Sequence, residues 1–337
     1  MVELKKVWRA AGAAIVLALG LAACSPAAPV LTAPTHIGDD EEKDLIRVGF
    51  VAVGPEGAWR EANEQDIVRT FTEEAGFALS YAPATNLTHN SQVDAFHIFL
   101  DDEDIDIILL SPVQSEAWDQ PLVRAQIAGV PVILLDRGIS TQDDSLYVTR
   151  IAPDNRAVAA AAAEWAVANF PEGATYYTLE GPKGASVVAE RNAGWDSVMS
   201  QHPEFVKFGA QSADWSFDKA TAVFAEALAQ SGDGIDFVFA QNDEMGMGAA
   251  QAVEAAGLTP GEDVKILTID GTFAALEALS RGRLNFVGEY NPLFGKTTLE
   301  VVRNVLAGAA VEHEIVVPSA TFGTPQEAYD ALPSRLY

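Results

Sequence analysis

From residue 45 onward, hydrophobic and polar positions alternate in blocks of two kinds. Short apolar runs stand at 46–53, 105–110, 130–135 and 146–151, and longer stretches with apolar positions at helical spacing stand between them, notably 61–75 and 115–128. A run such as Val130-Pro131-Val132-Ile133-Leu134-Leu135, closed by Asp136-Arg137, predicts a strand buried on both faces, as in a parallel sheet. A second series follows, with strands predicted at 174–179, 206–210, 237–240, 266–269 and 284–289 and helices at 155–169, 187–200, 217–230 and 244–256. Two consecutive strand-helix-strand series predict an α/β fold of two doubly wound parallel-sheet lobes. The acidic stretch 101–104 reads as a solvated turn, and no heptad or short repeat competes with this pattern.

The first 44 residues follow another rule. Lys5, Lys6 and Arg9 precede an apolar run at 10–21 that ends in Leu21-Ala22-Ala23-Cys24. This is the layout of a secretory signal, and its end resembles a bacterial lipoprotein signal, in which cleavage after residue 23 leaves Cys24 to carry lipid. An uncleaved anchor with an incidental cysteine is the alternative, and either places the protein outside the cytoplasmic membrane. Residues 24–44, rich in Pro, Ala and Thr and then acidic, read as a flexible tether.

Composition narrows the chemistry. A chain of 337 residues with 49% hydrophobic content is long enough for two cores. A formal charge of −27, which removal of three cations and one anion with the signal takes to −29, argues against nucleic acid as a partner. The single cysteine leaves no internal disulfide, and the histidines at 36, 89, 97, 202 and 313 show no metal-ligand spacing, so no metal is expected. Neither common phosphate-cradling glycine motif is present, nor a Gly-x-Ser-x-Gly elbow, so no cofactor is expected.

What the loops after the strands carry instead is polar and aromatic. They hold Glu56 and an exposed Trp59 that opens a helix with Arg60, then Asp136-Arg137, Glu190-Arg191, Asp214-Trp215, Gln241-Asn242-Asp243-Glu244 and Asp270-Gly271. Each has a plain alternative as a helix cap, a turn or a packing residue. Together they fall at the carboxyl edges of the sheets, where open α/β folds bind ligands. Charged and amide groups suit sugar hydroxyls, and two indoles suit the C–H faces of a sugar ring.

The strings Leu134-Leu135-Asp136-Arg137, Ala152-Pro153-Asp154-Asn155, Leu179-Glu180-Gly181, Phe239-Ala240-Gln241-Asn242-Asp243-Glu244-Met245 and Ile269-Asp270-Gly271 resemble the ribose/galactose group of type I periplasmic sugar-binding proteins of ABC transporters. Within that group, Val53-Gly54-Pro55-Glu56-Gly57-Ala58-Trp59-Arg60 and Ser145-Leu146-Tyr147-Val148-Thr149 look most like galactofuranose-binding proteins. The resemblance implies a ligand site of Glu56, Trp59, Arg60, Ser111, Asp136, Arg137, Arg191, Trp215, Asn242, Asp270 and Glu289. It also implies three hinge strands, an N-terminal lobe of 45–150 plus 292–318, and a C-terminal lobe of 151–291 plus 319–337. The implied protein is a monomer that closes on a monosaccharide and presents it to a membrane permease. A chemotaxis or signalling receptor fits the same site. A glycoside hydrolase would need two of Asp136, Asp243 and Asp270 as acid and base, and a sugar-responsive repressor would need a DNA-binding headpiece where the signal stands.

Overall fold

The computed structural model describes residues 45–232 and 234–337; the readings made on 1–44, including lipidation at Cys24, lie outside the described residues. The first part of the chain runs through β1 (Ile46–Ala52), α1 (Ala58–Thr70), β2 (Phe77–Pro83), α2 (His89–Asp101), β3 (Ile107–Leu110), α3 (Asp119–Ala128), β4 (Val132–Leu135) and β5 (Thr149–Pro153). The second continues through α4 (Asn155–Asn169), β6 (Thr175–Glu180), α5 (Ser186–Met199), β7 (Val206–Ser212), α6 (Phe217–Ser231), β8 (Phe237–Ala240), α7 (Asp243–Ala255), β9 (Lys265–Asp270), α8 (Phe273–Ser280) and β10 (Phe286–Glu289). The remainder comprises α9 (Gly295–Leu306), β11 (Glu314–Val317), β12 (Thr321–Phe322) and α10 (Pro325–Ala331).

Two six-stranded sheets result, ordered β11-β5-β4-β3-β1-β2 and β12-β10-β9-β8-β6-β7. Every pairing is parallel except β10 with β12. The chain crosses between sheets three times: after β5, between β10 and α9, and between β11 and β12. The central strands β3, β4 and β8 are buried at all positions, which is why they read as unbroken apolar runs. One apolar cluster runs from Val48, Phe50 and Leu109 of the first sheet through Tyr290 and Phe294 to Phe237 and Phe239 of the second.

The differences from the sequence reading lie at the edges. The edge strand β2 is only partly buried, β11 is buried at one position alone and β12 has two residues, so none presents the apolar run that identifies an inner strand. The run at 146–151 begins with a 3-10 turn at Asp144–Leu146, so β5 starts at Thr149. Helix α1 begins at Ala58 rather than 61, which puts Trp59 and Arg60 in its first turn.

Candidate functional site

Strand order reverses beside β1 in the first sheet and beside β6 in the second. Loops that leave parallel strands on either side of such a point diverge and open a crevice. Here the crevices of both sheets meet in one small cavity. Its first wall is Glu56, Gly57, Trp59, Arg60, Asp136 and Arg137, its second is Val187, Arg191, Trp215, Asn242, Glu244 and Asp270, and Tyr290 sits at the crossing between them.

The first wall is a closed ring of four charges. Arg60 pairs with Asp136, Asp136 lies 3.8 Å from Arg137 Nε, Arg137 pairs with Glu56, and Glu56 returns to Arg60 Nε at 3.7 Å. Tyr290 Oη donates to Asp136 Oδ1 at 2.9 Å and accepts from Asn155 Nδ2 at 2.9 Å. Burial by itself would raise the Asp136 carboxyl, but the charges of Arg60 and Arg137 and the bonds from Arg60 and Tyr290 prevail and hold it below the usual carboxylate range. Trp59 is buried rather than exposed as its sequence context suggested, because its indole N–H donates to the Tyr290 carbonyl and its ring packs 5.2 Å from Tyr290. Arg60 lies 4.8 Å over that indole.

The second wall is built around Arg191. Its guanidinium donates to Asn155 Oδ1 at 2.9 Å and to the Gln241 carbonyl, and lies 4.8 Å over Tyr290 and 5.6 Å over Trp215. Asp270 is 3.5 Å away. Burial pushes Asp270 well above the normal carboxylate range, Arg191 opposes, and Asp243, Glu244 and Asp136 add to the rise. Trp215 needs Gly181 behind it, since a Cβ there would stand 2.1 Å from the indole. Asn242 does two jobs: Oδ1 caps α7 by accepting from Met245 N at 3.0 Å, and Nδ2 donates to Glu244 Oε2 at 2.7 Å. Asp136 (φ 62°), Trp215 (φ 60°) and Asp270 (φ 137°) all hold backbone conformations that non-glycine residues rarely adopt, a kind of strain that collects at functional sites.

Contacts across the cleft draw the lobes together. Glu244 Oε1 accepts from Ala58 N at 3.0 Å, Ser186 Oγ from Gly138 N at 2.8 Å, and Gly184 O from Ser115 N at 2.9 Å. Arg150 and Glu190 add a two-point ion pair at 2.7 and 2.9 Å. Around the enclosed space, Arg60 Nε, Arg137 Nε and Trp215 Nε1 are buried donors with no hydrogen-bond partner among the described residues. No cluster of metal-ligand type occurs among the described residues.

Nine of the eleven residues named from sequence line this cavity, and two do not. Ser111 is buried behind Arg60, accepting from its guanidinium at 3.3 Å. Glu289 ends β10 beside Tyr290, but its carboxylate turns away to Arg335, Tyr337 and the Ala320 N–H. Asp243 is also turned from the cavity: it accepts from Thr268, from Gly271 N at 2.9 Å and from Thr272 N at 2.8 Å, which fixes the Asp270 loop. Gly57, Val187, Glu244 and Tyr290 line the cavity but were not named as site residues. Glu244 stood inside a quoted string, and Tyr290 is the first residue beyond a recognised strand, a position that deserved the weight given to the other strand ends.

Residues 48–310 match the family model described as "Periplasmic binding protein domain". The chain belongs to this family. Among curated relatives, it is 44% identical over 302 residues to the fructose import binding protein FruE of Bifidobacterium longum, spanning 88% of this chain and 90% of that one. It is 29% identical over 293 residues to the galactofuranose-binding protein YtfQ of Escherichia coli, spanning 86% and 91%. A crystal structure of a Mycobacterium smegmatis protein in complex with β-D-fucofuranose superposes with a TM-score of 0.81 at 36% identity, over 86% of this chain and 94% of that one. Like its relatives in the periplasmic binding protein family, the chain is a binding protein and not an enzyme.

Proposed function

We propose that this protein is the extracytoplasmic sugar receptor of a carbohydrate ABC importer and binds one monosaccharide as its five-membered furanose ring. The observation that carries the reading is the cavity itself, which Arg60, Arg137 and Trp215, each with a donor that makes no hydrogen bond among the described residues, line from both lobes beside two indoles and four carboxylates. Ring oxygen and hydroxyl acceptors match the donors, hydroxyl protons match the carboxylates, and C–H faces match the indoles. The space the two walls enclose is small, which favours a monosaccharide over a longer saccharide.

Relatives named for fructose and galactofuranose, with a solved one holding fucofuranose, support a six-carbon furanose. Fructose ranks ahead of galactofuranose on identity, 44% against 29%. The lobes are 45–153 plus 292–318 and 154–291 plus 319–337, a first boundary three residues later than the sequence suggested because β5 pairs in the first sheet through Pro153, and three hinge strands join them. Sugar bridging both lobes stabilises the closed form by contacts the open form lacks, and the closed form is what the permease receives. The protein acts as a monomer, held to the outer face of the membrane by lipid on Cys24.

A thermal-shift panel of fructose, hexofuranosides, pyranose-locked methyl glycosides and pentoses tests the assignment. At a hundredfold excess over Kd a ligand adds about 2.7 kcal/mol, so fructose or a hexofuranose should raise Tm by about 5 °C or more while pyranose-locked sugars leave it unmoved. A panel with no shift, or a shift confined to pyranosides, would overturn the assignment.

A further inference from the structure

Glu289 was one of the two sequence-named residues that the cavity did not take in, and its surroundings give it another role. It ends β10, in register with Asp270 on β9, and is followed at once by Tyr290. Tyr290 N donates to the Asp270 carbonyl at 3.0 Å, so the two cavity residues are joined through this strand end. The backbone of Glu289 also ties to another crossover: its N–H donates to the Ala320 carbonyl at 2.8 Å, and its Oε2 accepts from Ala320 N at 2.8 Å. Two of the three crossings therefore meet at one carboxylate.

That carboxylate is neutralised by a residue far along the chain. Arg335 pairs with Glu289 Oε1, Tyr337 Oη donates to the same oxygen at 3.2 Å, and Arg335 donates to Tyr337 Oη. The Arg335 guanidinium is flanked by two rings, 5.5 Å from Phe322 on β12 and 4.9 Å from Tyr337. Only 8% of the Arg335 side chain and 15% of the Glu289 side chain are exposed, so this pair has a rigid, largely dry setting. The backbone oxygen of Tyr337 accepts from Phe273 N at 2.6 Å, three residues after Asp270. Segment 335–337 thus holds both the strand that delivers Tyr290 and the loop that delivers Asp270. On its other side, Leu336 and Tyr337 border a groove against Ala58, Glu61 and Ala62 of α1, the helix whose first turn supplies Trp59 and Arg60.

We infer that Arg335 and Tyr337 are positioning residues that clamp Glu289 at the crossing and thereby set how readily the lobes close on ligand. The clamp acts through Tyr290 and Asp270 and touches no ligand itself. This inference rests on the sugar-receptor reading above, and the experiment separates the two.

The sugar that gives the largest thermal shift with the parent protein is titrated by calorimetry into the parent, Arg335→Ala, Arg335→Lys and the double variant Glu289→Gln/Arg335→Ala. The small-angle scattering radius of gyration is recorded with and without sugar. Arg335→Ala leaves a buried carboxylate uncompensated, and such losses are large for buried pairs. It should weaken binding about tenfold and enlarge the sugar-free radius of gyration. Arg335→Lys, which keeps the charge, should recover to within about threefold of the parent. The double variant, which removes the stranded charge, should fall between Arg335→Ala and the parent. A clamp that only supports stability would lower Tm in Arg335→Ala while leaving affinity and radius of gyration at parent values, and that result would overturn the inference. If the parent binds none of the sugars, the receptor reading fails first.

Discussion

Asp136 and Asp270 occupy matching places in the two lobes. Each stands at the carboxyl end of the fourth strand counted from the β2 or β7 edge, β4 in one sheet and β9 in the other, and each faces the same cavity with a positive φ. Their surroundings differ. Asp136 lies between Arg60 and Arg137 and accepts from Tyr290, so it is an anion fixed inside a balanced ring. Asp270 has one arginine at 3.5 Å and carboxylates nearby, and is pushed toward its neutral form. The same residue at equivalent strand ends is a permanent post in one lobe and an undercompensated group in the other. The first wall is thus organised before ligand arrives, whereas Asp270 gains most from the hydroxyl donors that a sugar brings.

Breaking the post should have the largest effect. Asp136→Ala strips Arg60 and Arg137 of one of the two carboxylates they share, and removing one member of a buried charge cluster costs about 3 kcal/mol or more. Sugar affinity should fall by at least about a hundredfold in calorimetry, with a smaller proportional loss in Tm. Asp270→Asn should cost less, about 1 to 1.5 kcal/mol of binding, because the amide keeps one acceptor and removes a charge that burial disfavours. An Asp270→Asn loss as large as that of Asp136→Ala would erase the proposed difference between the lobes.

The indoles sharpen the comparison. Trp59 donates to Tyr290 and packs against its ring, whereas the Trp215 N–H has no hydrogen-bond partner among the described residues. Replacing either by Ala should weaken binding by about 1 to 3 kcal/mol. Both indoles are buried in apolar clusters, so both variants should lower the Tm of the sugar-free protein, Trp59→Ala the more because it also frees the Tyr290 carbonyl, an order that differential scanning calorimetry can read.

Much of this arrangement was legible in the chain, for identifiable reasons. Inner strands such as β4 are apolar on both faces, so their ends are sharp, and Asp136-Arg137 stood out at one such end. The edge strands β2, β11 and β12 carry mixed faces and gave no comparable signal. Tyr290 passed unnoticed because an aromatic residue after an apolar strand looks like core, and its hydroxyl's partners, Asp136 and Asn155, are more than a hundred residues away in sequence. Glu289 was placed in the site by the family resemblance alone. Only the fold reveals that Arg335 and Tyr337 come back to claim it. Trp59 read as exposed because the start of its helix was placed three residues late.

Acidity supplies the smallest effect. Burial raises Asp270 and Glu244 above their normal range and pushes Asp243 up to about 7, so the folded protein holds protons the unfolded chain releases. A carboxyl raised in the folded state favours folding as pH falls, and that contribution fades as pH rises through about 4 to about 7. Relief of repulsion at a formal charge of −27 acts in the same direction. Tm should therefore climb by a few degrees between pH 8 and pH 5.5, and Asp243→Asn should flatten the climb. Below about pH 4 the order reverses, because Asp136, lowered in the folded state, must take up a proton.

The central claim is that one sugar is held by both lobes at once, and calorimetric titration of fructose into three proteins tests it most directly: the parent, the first-lobe variant Asp136→Ala and the second-lobe variant Arg191→Ala. The account predicts one site per parent chain and loss of at least about a hundredfold in affinity for each variant. Binding by the parent that survives unchanged in either variant would show that one lobe alone holds the sugar, and would contradict it.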